Sequence, residues 1–269
     1  MEKITDKKCI LITGAYGGMG WETVKALSQN GFSVFALDRK IGEAAENIVP
    51  VEADITDEES VKRAFSLVEE RTESLYAIVH FAGVYMLNSL LEMDEKTFRR
   101  IFEINLFGAA TVNRIFFPLL KKKSRIIMTT SELAPLAPLP FTGIYAVTKT
   151  ALDRYAYSLR MEMQLLNIDV SVLRAGAVRT DMLGVSTDAL DRFCENTALY
   201  SCNAKRFKRI VNGVEAKNVP PQKIARKVCK ILSRKHPRFA YAVNRNPLLL
   251  LLNILPARLQ FFIIRQILK

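Results

Sequence analysis

Tyr145 and Lys149, in the stretch YAVTK, stand four positions apart, so in a helix the phenol and the ammonium share one face. A free phenol titrates near roughly 10 and keeps its proton at neutral pH, whereas a nearby ammonium favours the phenolate, at about 1.4 kcal/mol per pKa unit. The pair is a candidate acid–base device; as an ordinary amphipathic pair on a helix surface it would do no chemistry. Other acid–base groups are scarce. The chain has two histidines. His236 lies in the basic stretch RKHPR, and His80, at a strand end, reads as a hydrogen-bonded core residue. A two-histidine zinc site or a Ser-His-Asp triad is hard to assemble from these. Cys9, Cys194, Cys202 and Cys229 have no metal-ligand spacing, so no metal is expected and the thiols read as reduced.

The elements that must hold Tyr145 and Lys149 follow from periodicity. Apolar or β-branched runs (CILITG, SVFALD, IVPVEAD, LYAIVHFAG, RIIMTT, DVSVLRAG) alternate with amphipathic segments. Helices are expected from about Gly18 to Asn30, from about Glu58, between about Asp94 and Leu120, and from about Gly143 to Leu166. Strand–helix–strand repetition predicts an α/β fold, a Rossmann-type doubly wound parallel sheet with helices on both faces. At 269 residues and 49% apolar composition one globular domain is expected, residues 1–245, followed by a basic apolar tail, 246–269.

Ligands of such sheets bind beyond the carboxyl ends of the strands. TGAYGGMG, residues 13–20, follows the first strand and opens the first helix, placing Gly14, Gly18 and Gly20 where a phosphate can approach backbone N–H groups. A plain structural turn is the competing reading of the glycines alone. Asp38 ends the second strand, where a carboxylate accepts from an adenine ribose and repels a 2'-phosphate, favouring NAD over NADP. Arg39 and Lys40 could instead pair with that phosphate. Asp54 closes the third strand, as an acceptor for the adenine amine or as a helix cap.

TGAYGGMG, FAG at 81–83, IN at 104–105, Ser131 after a strand, and YAVTK together resemble the short-chain dehydrogenase/reductase family, over about residues 8–182. The resemblance implies a nicotinamide cofactor and interconversion of an alcohol and a carbonyl. It implies that Tyr145 is the acid–base, that Lys149 grips the nicotinamide ribose, and that Ser131 orients the substrate oxygen, with Thr129 and Thr130 as competitors for that place. It makes Asn105 a helix-distorting residue that holds a water to the lysine. The cofactor set extends to Tyr16, Met19, Ile55, Ala82, Gly83, Val178 and Thr180. Three departures stand out: Ala175 replaces a proline, His80 and Phe81 replace two asparagines, and the Ser131–Tyr145 spacing is one residue long, an insertion for the loop 135–140 to absorb.

Residues 183–215 are expected to form a substrate lid. Met182, Leu183, Leu190, Phe193, Leu199, Tyr200 and Phe207, with Leu133, Leu136 and Phe141, would line an apolar pocket for a steroid, bile acid, retinoid or similar lipid, or would pack the lid onto the core. Ser131, Leu133, Tyr145, Met182 and Leu183 are the substrate candidates. A 3-oxoacyl reductase is the alternative enzyme, and a nucleotide-sensing or nucleic-acid-binding module the alternative of another class. Few aromatics interleave with the basic residues, so no nucleic acid is expected. The family resemblance implies a homodimer or homotetramer through the helices carrying Asn105 and Tyr145.

Net charge is +12, and residues from Ser201 onward carry +15 against −3 for the rest. Such asymmetry points to an anionic partner. The tail, NPLLLLLNILPARLQFFIIRQILK, is too broken to span a membrane but has the form of a basic interfacial helix from Leu255. It could also dock on the enzyme's own cleft or on a partner subunit. The N-terminal stretch lacks the marks of a signal peptide, so the expectation is a cytoplasmic protein with a tail able to meet a membrane.

Overall fold

The computed structural model describes residues 3–4 and 7–269, apart from the side chains of residues 181–186 and 215. Seven strands form one parallel sheet in the order β3-β2-β1-β4-β5-β6-β7. They are β1 (Cys9–Thr13), β2 (Ser33–Asp38), β3 (Ile48–Glu52), β4 (Leu75–His80), β5 (Leu120–Ser131), β6 (Asp169–Ala175) and β7 (Ala240–Val243). The strand runs are buried on both faces, as all-parallel strands must be, and read as nearly continuous apolar stretches. β1 pairs with both β2 and β4, so the strand order reverses beside it and a crevice opens at its carboxyl end.

On one face α1 (Gly18–Gln29) and α8 (Gln222–Ser233) pack Val24, Leu27, Ile224, Val228 and Ile231 against the sheet. On the other lie α2 (Glu58–Glu69), α4 (Gly108–Phe116) and α5 (Gly143–Met163), through Val61, Val68, Val112, Phe116, Leu152 and Ala156. Asp57 caps α2, its carboxylate accepting from Glu59 N at 3.0 Å.

The helix expected between Asp94 and Leu120 is interrupted. α3 (Glu95–Phe102), capped by Asp94, leads into a π turn at Glu103–Phe107 before α4, and a short 3-10 turn, Phe117–Leu119, closes the segment. Asn105 sits in the π turn, where its side chain is spent on partners outside the helix. β5 begins at Leu120, earlier than its β-branched run suggests, and β7 has no counterpart in the periodicity, being only four residues long.

Two helices, α6 (Asp181–Asn196) and α7 (Ser201–Glu215), stand above the carboxyl ends of the strands. The tail is two helices, not one. Asn246 caps α9 (Pro247–Ile254), and α10 (Ala257–Leu268) follows a break at Leu255, whose extended backbone is what a residue before proline requires. α10 packs on α7, with Ile264 and Leu268 joining the lid cluster.

Candidate active site

The first turn of α1 is built on glycines. Gly14 sits at φ 66°, and a Cβ there would lie 2.5 Å from Ala82 N. The N-cap, Gly17, brings no side-chain hydrogen bond, so the first N–H groups of α1 are left for an anion. Thr180 packs against Gly18, where a Cβ would come within 2.7 Å of its methyl group. Met19 lines the cavity described below. Ala82 N donates to Thr13 O at 3.1 Å.

Asp38, at the end of β2, accepts from Tyr16 N at 3.0 Å and from Arg39 N at 2.8 Å, which fixes its carboxylate beside the glycine turn. Tyr16 stacks on Trp21 at 5.3 Å. Asp54 accepts from Thr56 N at 2.9 Å and Thr56 Oγ1 at 2.7 Å, and the helix cap is Asp57 instead. Burial works against ionisation of Asp54, but the Thr56 hydrogen bonds and the charges of Arg39 and Arg100 outweigh it and hold the carboxyl below its ordinary value. Ile55 is buried against Gly108 at the start of α4. This donor set suits a dinucleotide: uncapped N–H groups for a pyrophosphate and a fixed carboxylate for a ribose.

At the ends of β5 and α5 the polar residues converge. Tyr145 and Ser131 line the same cavity, and the Ser131 hydroxyl is close enough to the phenol to favour its ionised form. Thr130 is turned away, donating to Asp153 Oδ1 at 3.1 Å, and Thr129 Oγ1 is buried with no hydrogen-bond partner. Lys149 donates to Thr129 O at 3.1 Å and lies 5.9 Å from the centre of the Tyr145 ring. A Cβ on Gly83 would sit 3.3 Å from Lys149 Nζ and 3.1 Å from Asn105 Oδ1, so a larger residue there would press on both side chains. Asn105 grips Val84 at both ends: Val84 N donates to its Oδ1 at 2.8 Å, and its Nδ2 donates to Val84 O at 3.0 Å and Thr148 Oγ1 at 3.1 Å. Val178, buried after β6, bridges to Val219.

The electrostatics differ from the sequence expectation. Burial pushes the Tyr145 phenol up to about 12; the Ser131 hydrogen bond pulls it down, and the Glu132 carboxylate pushes it up again. Burial also takes Lys149 down to about 8. Desolvation dominates, and the ammonium is spent on Thr129 O. His80 is a core residue: Nε2 lies 2.9 Å from Asn113 Oδ1, and burial takes its pKa down to about 4.

A cavity of about 540 Å³ opens over Tyr145, Ser131 and Lys149. Leu133 and Phe207 line it. Most other expected lid residues do not: Leu190, Phe193, Tyr200 and Phe141 pack with Phe207 into a separate cluster, Phe141 at 4.9 to 5.3 Å from the other three aromatic rings. Leu136 is likewise absent from the wall, and Leu199 is exposed. Phe141, Phe193 and Tyr200 pack with Phe207, which leaves most of the wall to aliphatic residues. The side chains of Met182 and Leu183 lie outside the described residues.

The apolar wall comes instead from Ile210, Val211 and Val214 of α7 and from Leu249, Leu252, Leu255, Ile263 and Ile264 of the tail. Two further neighbours went unread in the sequence. Tyr85 meets the Tyr145 ring edge-on at 4.6 Å. Glu132 is a buried acid at the end of the catalytic strand, accepting from Asn246 N at 2.6 Å. The signal for Glu132 was a charged residue directly after Ser131, at the end of an otherwise buried strand.

The sequence profile described as short chain dehydrogenase matches residues 8–191. The chain belongs to that family. It is 32% identical over 201 residues to estradiol 17-beta-dehydrogenase 2 of Mus musculus, covering 70% of this chain and 52% of that one, so it spans about half the length of that curated relative. It is 26% identical over 245 residues to 3-ketodihydrosphingosine reductase of Bacteroides thetaiotaomicron, covering 87% of each. A short chain dehydrogenase from Burkholderia cenocepacia solved in complex with NADP superposes with a TM-score of 0.73 at 22% identity over 98% of each chain. That likeness is one of fold.

Proposed function

We propose that the protein is an NAD(P)-dependent oxidoreductase that interconverts a secondary alcohol and a ketone on a hydrophobic substrate. The observation that carries this reading is the Tyr145 phenol, set with Ser131 and Lys149 at the floor of a cavity with largely aliphatic walls. A nicotinamide cofactor would be held by Gly14, Gly18, Gly20 and Asp38 and would supply hydride transfer at the carbinol carbon. Everything else falls to the chain's own groups. Tyr145 exchanges the hydroxyl proton with the substrate oxygen, Ser131 donates to that oxygen, and Lys149 holds the site beneath them. With the phenol protonated up to about 12, Tyr145 is poised to give its proton to a ketone at neutral pH. Asn105 fixes the Gly83–Val84 backbone and takes its place in the proton relay behind Lys149.

Asp38 favours NAD over NADP, because its anchored carboxylate would meet a 2'-phosphate with like charge. A steroid, sphingoid or comparable lipid alcohol suits the cavity and is in keeping with the names of the two relatives. The catalytic body comprises residues 1–245, and the tail 246–269 walls the cleft and lies within reach of a membrane. Exposed apolar residues on α5, Val147, Tyr157 and Met161, together with Phe107 and Phe117 on either side of α4, favour a homodimer or homotetramer. Four unpaired cysteines suit a reducing, cytoplasmic setting. The test is turnover of a panel of hydrophobic ketones with NADH and NADPH, alongside Tyr145→Phe. Full activity in that variant would remove the mechanism. Preference for NADPH with acyl-thioester substrates would favour the second reading, a 3-oxoacyl reductase, for which the basic face is the supporting observation.

A further inference from the structure

The two tail helices have two apolar faces each serving a different neighbour. Inward, Leu249, Leu252 and Ile264 close the cavity over Tyr145. Outward, Ile254 is 79% exposed and Phe261 71%, with Phe262 and Leu259 also open to solvent. Leu248, Leu251 and Ile267 belong to both faces: they line the cavity and stand more than half exposed, so its mouth opens on the outer apolar surface. No helix among the described residues is long and apolar enough to cross a membrane. A surface of this kind lies flat in an interface.

Charge decides between occupants. Residues 245–269 contain Arg245, Arg258, Arg265 and Lys269, all exposed, and no acid. Residues from Ser201 onward carry +15. A second copy would bring the same cations face to face, whereas anionic headgroups would neutralise them.

We propose that the outer face of α9 and α10 docks on an anionic lipid bilayer, so that a membrane-dissolved substrate enters past Leu248, Leu251 and Ile267 to Tyr145 without crossing water. This deepens the reading of a hydrophobic substrate and rests on it for the second step only. Docking requires no turnover.

The experiment is co-sedimentation of the full chain with phosphatidylcholine vesicles and with vesicles of phosphatidylcholine and phosphatidylserine. Wild type is expected to sediment with the phosphatidylserine vesicles, less with phosphatidylcholine alone, and less at high salt. Phe261→Ser combined with Phe262→Ser should lower the partition coefficient at least roughly tenfold. Arg258→Glu combined with Arg265→Glu, which removes no apolar surface, should weaken it on the anionic vesicles alone. Tyr145→Phe must bind as wild type does, which separates docking from catalysis. With a ketone dissolved in the vesicles, the double serine variant should lose kcat/KM roughly in proportion to its lost binding, and with a water-soluble ketone it should equal wild type. The proposal is overturned if wild type shows no preference for anionic vesicles. It is equally overturned if the serine variant binds unchanged, or if it lowers the molecular mass at sedimentation equilibrium, which would assign the face to another copy of the chain.

Discussion

The floor of the cleft and its outer wall are built on opposite plans. At the floor, Ser131, Tyr145 and Lys149 are few; Ser131 and Lys149 are buried, with Lys149 fixed on Thr129 O and Ser131 accepting from Leu133 N. At the wall, α9 and α10 present interchangeable aliphatic residues held to the body mainly by apolar contact, with polar tethers at Asn246, Asn253 and the Leu268 carbonyl. A change of one atom at the floor removes a function, while a change of one methyl group at the wall alters only affinity. The largest effect expected is therefore Tyr145→Phe, which deletes the hydroxyl and keeps the ring against Tyr85. Turnover should fall by about 10²- to 10⁴-fold with little change in melting temperature. An unchanged rate would erase the contrast between the regions.

The support beneath the floor comes next. Asp153 on α5 accepts from Arg174 Nε at 3.0 Å and Nη2 at 2.7 Å, and also from Thr130. Removing the acid leaves a largely buried guanidinium unpaired beside the catalytic strand. Asp153→Ala should cost about 3 kcal/mol in denaturant unfolding, and Asp153→Asn less. His80 offers a comparable measure through pH. Its folded pKa of about 4 lies below the unfolded value of 6.5, so the unfolded chain binds more protons between the two. Stability should be intact above pH 6.5, fall by about 3 kcal/mol as pH drops to 4, and show no further loss from this group below that. His80→Gln should flatten that slope in urea titrations across the window. Asp38→Ala should narrow the preference for NAD over NADP by about tenfold, as removing one anion from a phosphate's surroundings would. A sharper preference for NAD would remove Asp38 from that role.

The same contrast explains what could be read in advance. The inner strands and the main helices followed from periodicity because those strands are buried on both faces and each main helix on one, whereas the short edge strand β7 is only partly buried and gave no such signal. Tyr145, Lys149, Ser131 and Asn105 stood out because their types sit where a bland sequence would put aliphatic residues. The lid was opaque for the opposite reason. Phe141, Phe193 and Tyr200 have the composition of a pocket wall, but they pack with Phe207, which alone of the four reaches the cavity, and whether an aromatic faces a ligand or another aromatic depends on contacts far apart in the chain. The expected lowering of the Tyr145 pKa failed similarly, since spacing reports neighbours but not the dehydration around them.

The smallest effect would sharpen the boundary between floor and wall. Ala137 N, in the proline-rich loop above Ser131, donates to Asn253 Oδ1 at 2.7 Å, and Asn253 Nδ2 donates to Leu249 O at 2.9 Å. Asn253 touches neither Tyr145 nor Ser131, yet it ties α9 to the loop that leads into α5. Asn253→Ala should release the wall by roughly the worth of one hydrogen bond, about 1 kcal/mol, and raise KM for a bulky ketone about threefold to fivefold with kcat unchanged. A fall in kcat instead would mean that the tail positions the reacting oxygen as well as enclosing the substrate. The wall would then be part of the catalytic floor, and the division drawn between the two regions would have to move inward to α7.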